Sequence, residues 1–361
     1  MAIPEPVSGW DRAITGGLTR PMYLTHEELA EGDWTKSGAG SAELDFLRAE
    51  MTVFTTGTLV PCLAESWEIQ DQFNATINIR PGVTWQNKPP MNGRELTAED
   101  VAFSIDRWWH LDTAYAAAYF DEASGMRPTD VKAVDKYTVT FKIPAGKMNS
   151  MIPNVLDWNF QWPKDSIELY GDQTDWKNSG GTGPFIITDV VPGSAYTMDR
   201  NPNYWRKHPL YPEDTMPYLD TVKFLVIEDL STQLAALRTG KIDWIQEVKI
   251  EDAESLALTN PELQFKRYMP ANWPTMVMRI DNPDVPYYDK NVRHALQLAV
   301  NREEIKNDLY KGEASIYEWP VFSYGAFKRA RTEMEDLPAS TQDLFKYNPT
   351  KAKELLAEAG Y

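Results

Sequence analysis

The residues that most constrain the fold form a strand pattern, a turn and a capped helix in the first third of the chain. Apolar and polar residues alternate from 74 to 80, the two-residue period of a strand with one buried face. A proline–glycine pair at 81–82 predicts a turn, and 83–85 resumes the alternation. Thr97, with Asp100 three residues later, is typical of a capping box. The stretch therefore predicts strand, turn, strand, loop and helix.

Similar patterns recur along the chain. Alternation predicts further strands at 137–143, 185–190 and 222–227. Helix caps are predicted at Ser231, Asn301 and Asn348. An amphipathic helix is predicted from the apolar stripe of Val292, Ala295, Leu296, Ala299 and Val300. Strands and helices that follow one another in this way indicate an α/β fold with mixed sheets flanked by helices.

Composition excludes several classes of partner. The chain has 361 residues, enough for two or more domains, and carries a net charge of -17. So acidic a protein lacks the basic surface that nucleic acid or an anionic membrane requires. Cys62 is the one cysteine, so no intrachain disulfide forms, and we interpret it as a packed small side chain.

The motifs of common enzymes and metal sites are absent from the sequence. The four histidines are scattered singly, without HExxH or a Cys/His cluster, which predicts no metal site and no cofactor. No GxSxG motif marks a nucleophile. Carboxylates are abundant, so a carbohydrate hydrolase with two acidic residues stays as an alternative from another class. The beginning, MAIPEPVSGW, is polar and proline-rich and does not read as a signal peptide.

Several ordered blocks of the sequence resemble one protein family. The first runs from LAESWE through IRPGVTW to NGRELTAEDVAFSIDRW. The later blocks are GTGPFIITDVVPGSAYTMDRNPNYW, QLAALRTGKID, VRHALQLAVNREEI and YNPTKAKELLAEAGY. Together they resemble the family 5 extracellular solute-binding proteins of ABC transporters, the peptide/nickel-type or dipeptide/oligopeptide-binding class.

The resemblance implies a periplasmic-binding-protein-like fold with two lobes and an extra domain. It places domain I at 1–52 and 177–270, with domain II inserted at 53–176. Domain III would occupy 271–361 and contain only its N-terminal part, because the family continues beyond the block that ends this sequence. Proteins of this kind are exported, so we expect a periplasmic or cell-surface location and interpret Met1 as the start of a shortened sequence.

Aromatic residues dominate the predicted ligand site. The sequence holds 13 Trp and 17 Tyr, whose large rings with polar edges suit the wall of a binding cleft. Tyr115 and Tyr119 share a helical face, a spacing that more often serves a core than a ligand, and Trp158 belongs to an alternating aromatic run. By resemblance, we predict that ligand is contacted by Gly17, Leu18, Thr19, Tyr115, Tyr119, Trp158, Tyr268, Asn272 and Trp273. For the glycine pair at 16–17, an ordinary turn is an equal alternative.

The implied function is solute capture without catalysis. A monomeric protein would close around a peptide or similar small solute and deliver it to the permease subunits of an ABC transporter. An oligosaccharide is an alternative solute, because aromatic faces stack on sugar rings. A relative that binds a partner protein through the same cleft is a further alternative.

Overall fold

The computed structural model describes residues 1–15, 21–33, 59–111, 127–246, 248–265, 276–317 and 331–361. They belong to two compact units, one formed by the described residues up to Phe265 and the other by those from Met276 onward. No helix within the described ranges is both long enough and apolar enough to cross a membrane.

The strands of the first unit form two four-stranded sheets and a two-stranded pair. In chain order they are β1 (Ala2–Ile3), β2 (Ala30–Gly32), β3 (Leu59–Pro61), β4 (Ala64–Ile69), β5 (Asn74–Ile79), β6 (Thr129–Ala133), β7 (Thr138–Lys142), β8 (Phe185–Val191), β9 (Ala195–Arg200) and β10 (Thr221–Val226). One sheet has the order β1-β10-β9-β8, with β1 parallel to β10 and the other pairs antiparallel. The other is antiparallel throughout, in the order β4-β5-β7-β6. The first four-stranded sheet is built from predicted domain I and the second from predicted domain II, whereas the β2–β3 pair takes one strand from each; the domain boundaries stay predictions.

Helices connect and cover these sheets. Those of the first unit are α1 (Arg12–Thr15), α2 (Met22–Thr25), α3 (Ala98–His110), α4 (Met148–Asp157), α5 (Lys164–Tyr170), α6 (Leu230–Arg238) and α7 (Ile250–Thr259). Those of the second unit are α8 (Lys290–Ala299), α9 (Arg302–Glu304), α10 (Ala339–Asp343) and α11 (Pro349–Glu358). Short 3-10 turns at Pro286–Tyr288 and Met334–Asp336 and a π-helical turn at Ile305–Leu309 complete the described elements.

The strand and the capped helix predicted from the most constraining stretch are confirmed. β5 buries every second residue, as its alternation predicts. The Thr97 side chain and Asp100 form the reciprocal hydrogen bonds of a capping box at the start of α3. The predicted strand at 83–85 is wrong, because this segment makes an isolated bridge from Thr84 to Glu95 and joins no sheet. Its backbone hydrogen bonds close a local loop instead.

Two predictions about helix ends and faces need correction. The cap of α6 is Asp229, whose side chain accepts from Thr232 N, and not Ser231. On α8 the predicted stripe is only partly buried, since Val300 is exposed and Leu298 takes its place in the core with Ala295. The reason is packing against α11, which covers the face centred on Ala295 and Leu298 and contributes Ala352. The caps Asn301 and Asn348 are confirmed, each accepting from a backbone N–H three residues on.

Candidate ligand-binding site

A buried ion pair fixes the N-terminal segment against α3. Both guanidinium η nitrogens of Arg107 donate to the Asp11 carboxylate, at 3.0 and 2.6 Å. The carboxylate also accepts from the backbone N–H of Ala13 and of Gln173. A bidentate pair with additional donors is the geometry that repays the desolvation of two buried charges. The start of α1 is therefore held firmly beside α3.

Trp158 lies at the junction of α1, α3 and α4. It follows the last residue of α4 and is half-buried. Its ring meets that of Trp108 edge-on, with centroids 6.3 Å apart, and Trp108 in turn stacks on Trp162 at 5.9 Å. The Arg12 guanidinium lies 5.1 Å from the Trp158 ring centroid, and its Nη1 donates to the Trp158 carbonyl oxygen at 3.3 Å. Trp158 thus borders a cluster of aromatic rings around a buried cation.

Among the predicted ligand residues, Trp158 lies in the described part of the chain. The others lie outside it, and their role stays a prediction: Gly17, Leu18, Thr19, Tyr115, Tyr119, Tyr268, Asn272 and Trp273. The helices that lead to the first five are described. α1 ends at Thr15, and α3 ends at His110. Both helices contribute a side chain in contact with Trp158.

Sequence reasoning missed Arg12, Asn159 and Gln161. All three are buried, although their residue types are usually exposed. The alternation of aromatic residues at 158–162 predicts one buried face, whereas in the structure Asn159 and Gln161 on the other face are buried as well. No periodicity marks Arg12, and its one signal in the sequence is its position next to Asp11.

The glycine-rich run before β8 packs against the backbone at Thr25 and His26. A Cβ on Gly181 or on Gly183 would collide with the Thr25 carbonyl group. Gly183 N donates to Thr25 O at 3.0 Å, and Gln86 Nε2 donates to the same oxygen at 3.2 Å. These glycines therefore serve close backbone packing and the entry to β8.

His26 is enclosed at this contact. Its Nδ1 lies 2.8 Å from Thr25 Oγ1 and its Nε2 lies 3.3 Å from Gln173 Oε1. Burial lowers the pKa of His26 to about 4, an effect that the hydrogen bond to Gln173 Oε1 offsets only in part. Across the described ranges, no three His, Cys, Asp or Glu side chains are grouped to hold a metal ion.

The neighbouring Glu27 carboxyl receives hydrogen bonds from aromatic residues. Tyr204 OH donates at 2.7 Å and Trp205 Nε1 at 2.8 Å. Desolvation raises the pKa of Glu27, and these two donors act in the opposite direction. Residues of the segment 181–205 therefore hydrogen-bond to the segment 25–27 at Thr25 and at Glu27.

Comparison with protein families shows the family to which the chain belongs. The family model described as bacterial extracellular solute-binding proteins, family 5 Middle, matches residues 58–361. The chain belongs to this family. Two relatives are 27% identical to it: heme-binding protein A of Haemophilus influenzae, over 83% of this chain and 54% of the relative, and the dipeptide-binding protein of Escherichia coli, over 90% and 59%.

A solved structure of another protein shows the same fold. The oligopeptide-binding protein AppA of Bacillus subtilis, in complex with a nonapeptide, superposes with a TM-score of 0.71 at 22% identity. The alignment covers 99% of this chain and 63% of AppA. The predicted α/β fold of the family 5 type is thereby confirmed. The chain spans little more than half the length of the relatives it matches.

Proposed function

We propose that this family 5 solute-binding protein captures a peptide or similar small solute for an ABC importer. The observation that carries the proposal is the family match over residues 58–361. The relatives are named for heme and dipeptide binding, and the AppA structure contains a nonapeptide. Several kinds of solute are thus held by proteins of this fold, and a peptide is the one that recurs.

The proposed ligand surface combines backbone and aromatic side chains. In the first unit it includes Gly17, Leu18, Thr19, Tyr115, Tyr119 and Trp158, and from the following segment Tyr268, Asn272 and Trp273. The contacts of Trp158 support the first set, because Arg12 of α1 and Trp108 of α3 meet at its ring. Aromatic surface of this kind suits a peptide and also an oligosaccharide, which is the second candidate solute.

The mechanism proposed is binding followed by closure and delivery, with no bond broken. A solute shifts a protein toward the closed form only by the difference between its affinities for the closed and open forms. The solute-loaded protein, a monomer outside the cytoplasmic membrane, would then be recognised by permease subunits. The family description as extracellular proteins supports this location.

Native mass spectrometry of the protein purified from its host without refolding tests the proposal. Co-purified peptides would support it, and a series of hexose oligomers would favour the sugar alternative. In a matched pair of variants, Trp158→Ala should lose solute, while Ala at the exposed Leu258 should retain it. Turnover of a labelled oligosaccharide by the protein would instead show the hydrolase and refute solute capture as the activity.

A further inference from the structure

We infer that the buried Arg12 guanidinium anchors a carboxylate group of the solute, an inference that rests on the proposed function. It names the chemical class of the ligand, an anionic organic acid or a peptide with a free carboxylate. It also names the residue that recognises that group.

One edge of the Arg12 side chain has no hydrogen-bond partner among the residues that the structure describes. The side chain is fully buried, and Nη1 is engaged, donating to Trp158 O at 3.3 Å and lying 3.9 Å from Glu28 Oε1. Within the described ranges, Nε and Nη2 have no hydrogen-bond partner. These two atoms form the side-on edge of a guanidinium, which matches the two oxygens of a carboxylate.

Aromatic rings cover the faces of the same guanidinium. Its Cζ lies 5.1 Å from the Trp108 ring centroid, 5.1 Å from that of Trp158 and 5.7 Å from that of Phe160. Rings at these positions stabilise the cation and leave approach in its plane as the available direction. An anion would therefore meet the edge and not a face.

The surroundings of Arg12 contain more unpartnered donors than acceptors. In the part of the chain that the structure describes, Nε1 of Trp108, Nε1 of Trp162 and Nδ2 of Asn159 also lack acceptors. Among the same described residues, the acceptors Oδ1 of Asn159 and Oε1 of Gln161 also lack a hydrogen-bond partner. Buried polar atoms are nearly always hydrogen-bonded in native proteins, so this concentration calls for a partner. A negatively charged ligand that only accepts hydrogen bonds complements this excess of donors better than water, which donates hydrogen bonds as often as it accepts them.

The nearby acids leave this edge of Arg12 available. Asp11 is occupied by Arg107 in a bidentate pair. Glu28 meets Arg12 only through Nη1, at the long distance of 3.9 Å. Glu28 reduces the affinity for an anion but does not compete for Nε and Nη2.

Trp158 is the outer wall of this cluster. Its ring is half-buried, whereas the guanidinium behind it is inaccessible to solvent. Because this partly exposed ring packs on the guanidinium, we assign Trp158 the role of the side chain that covers the carboxylate.

The experiment uses the smallest carboxylate as probe. Acetate is titrated into the isotope-labelled protein at constant ionic strength, and the Nε–Hε resonance of Arg12 is followed by NMR, assigned by its loss in Arg12→Lys. We expect a saturable shift with acetate and none with acetamide, the neutral analogue. No shift with acetate, or equal shifts with both probes, would overturn the inference, and both titrations use the unsubstituted protein.

A second experiment measures the binding of the natural solute. For the solute identified by native mass spectrometry, Arg12→Lys should weaken binding at least about tenfold, since a charge-assisted bidentate contact is replaced by a point charge. Arg238→Lys, at an exposed arginine of α6, is the matched control and should bind as the parent does. If both variants bind the solute equally well, the proposed function stands and the Arg12 anchor is wrong. If acetate shifts Arg12 saturably while the protein captures no solute, Arg12 binds carboxylate but both the proposed function and the role of Arg12 as a solute anchor fail.

Discussion

Acidification should destabilise the first unit through His26. The imidazole is buried and neutral, and its pKa in the folded protein is lowered from 6.5 to about 4. Between these values the unfolded chain binds a proton that the folded chain excludes, so stability falls as pH falls. The contribution is fully present above pH 6.5 and is lost as pH falls through about 4. At about 1.4 kcal/mol for each pKa unit, the whole effect is about 3 kcal/mol.

Most of this loss in the free energy of unfolding falls between pH 7 and pH 5, where it can be measured. Over this interval, the linkage relation gives a loss of about 2 kcal/mol in the free energy of unfolding from His26. Urea unfolding followed by tryptophan fluorescence would be compared at both pH values for the parent and for His26→Gln. The difference between the two proteins isolates this histidine, because the other titrating groups are common to both.

His110→Gln is the matched control for this prediction. The His110 side chain is about one-third exposed and lies beside the exposed Asp106. Its removal should leave the loss between pH 7 and pH 5 nearly as large as in the parent. An equal loss in His26→Gln and the parent would refute the reasoning, as would an NMR titration of His26 with a midpoint near its ordinary value.

Three further substitutions test the packing around the site. Gly181→Ala should destabilise the protein by about 1–3 kcal/mol, because the new methyl group collides with the Thr25 carbonyl; an unchanged melting temperature would contradict this. Thr97→Ala should cost about 1 kcal/mol by removing the capping box with Asp100, measured by urea unfolding, and Ser at the same position should restore most of it. Asp11→Asn should cost about 3–5 kcal/mol because it leaves a buried arginine without its counter-charge, and a loss below about 1 kcal/mol in urea unfolding would show that the ion pair is dispensable.

Local patterns in the sequence predicted much of the secondary structure. β5 follows from alternation alone, and the start of α3 follows from the pair Thr97 and Asp100, since both signals act within a few residues. The same holds for the cap at Asn348, which satisfies a backbone donor three residues away. Such features need no knowledge of distant parts of the chain.

The incorrect predictions concern residues whose structure is set by contacts distant in sequence or by competing hydrogen bonds. The segment at 83–85 has a strand pattern, yet Trp85 N donates to Arg94 O and Leu96 N donates to Val83 O, so its backbone is satisfied within its own loop. The buried state of Arg12 depends on rings contributed by α3 and by the segment after α4, far away in sequence. No pattern of short period can indicate contacts of that kind.

The residues by which the family is recognised are, in this structure, largely packing residues. The block at 181–205 begins with glycines that admit the backbone at Thr25 and ends with Tyr204 and Trp205, which donate to Glu27. These contacts hold a segment of the first unit in place. Because they depend on the fold and not on the solute, they can persist while the ligand-facing residues change. This explains why family membership can be established from the chain while the identity of the solute depends on a different set of side chains, among which we place Arg12 and Trp158.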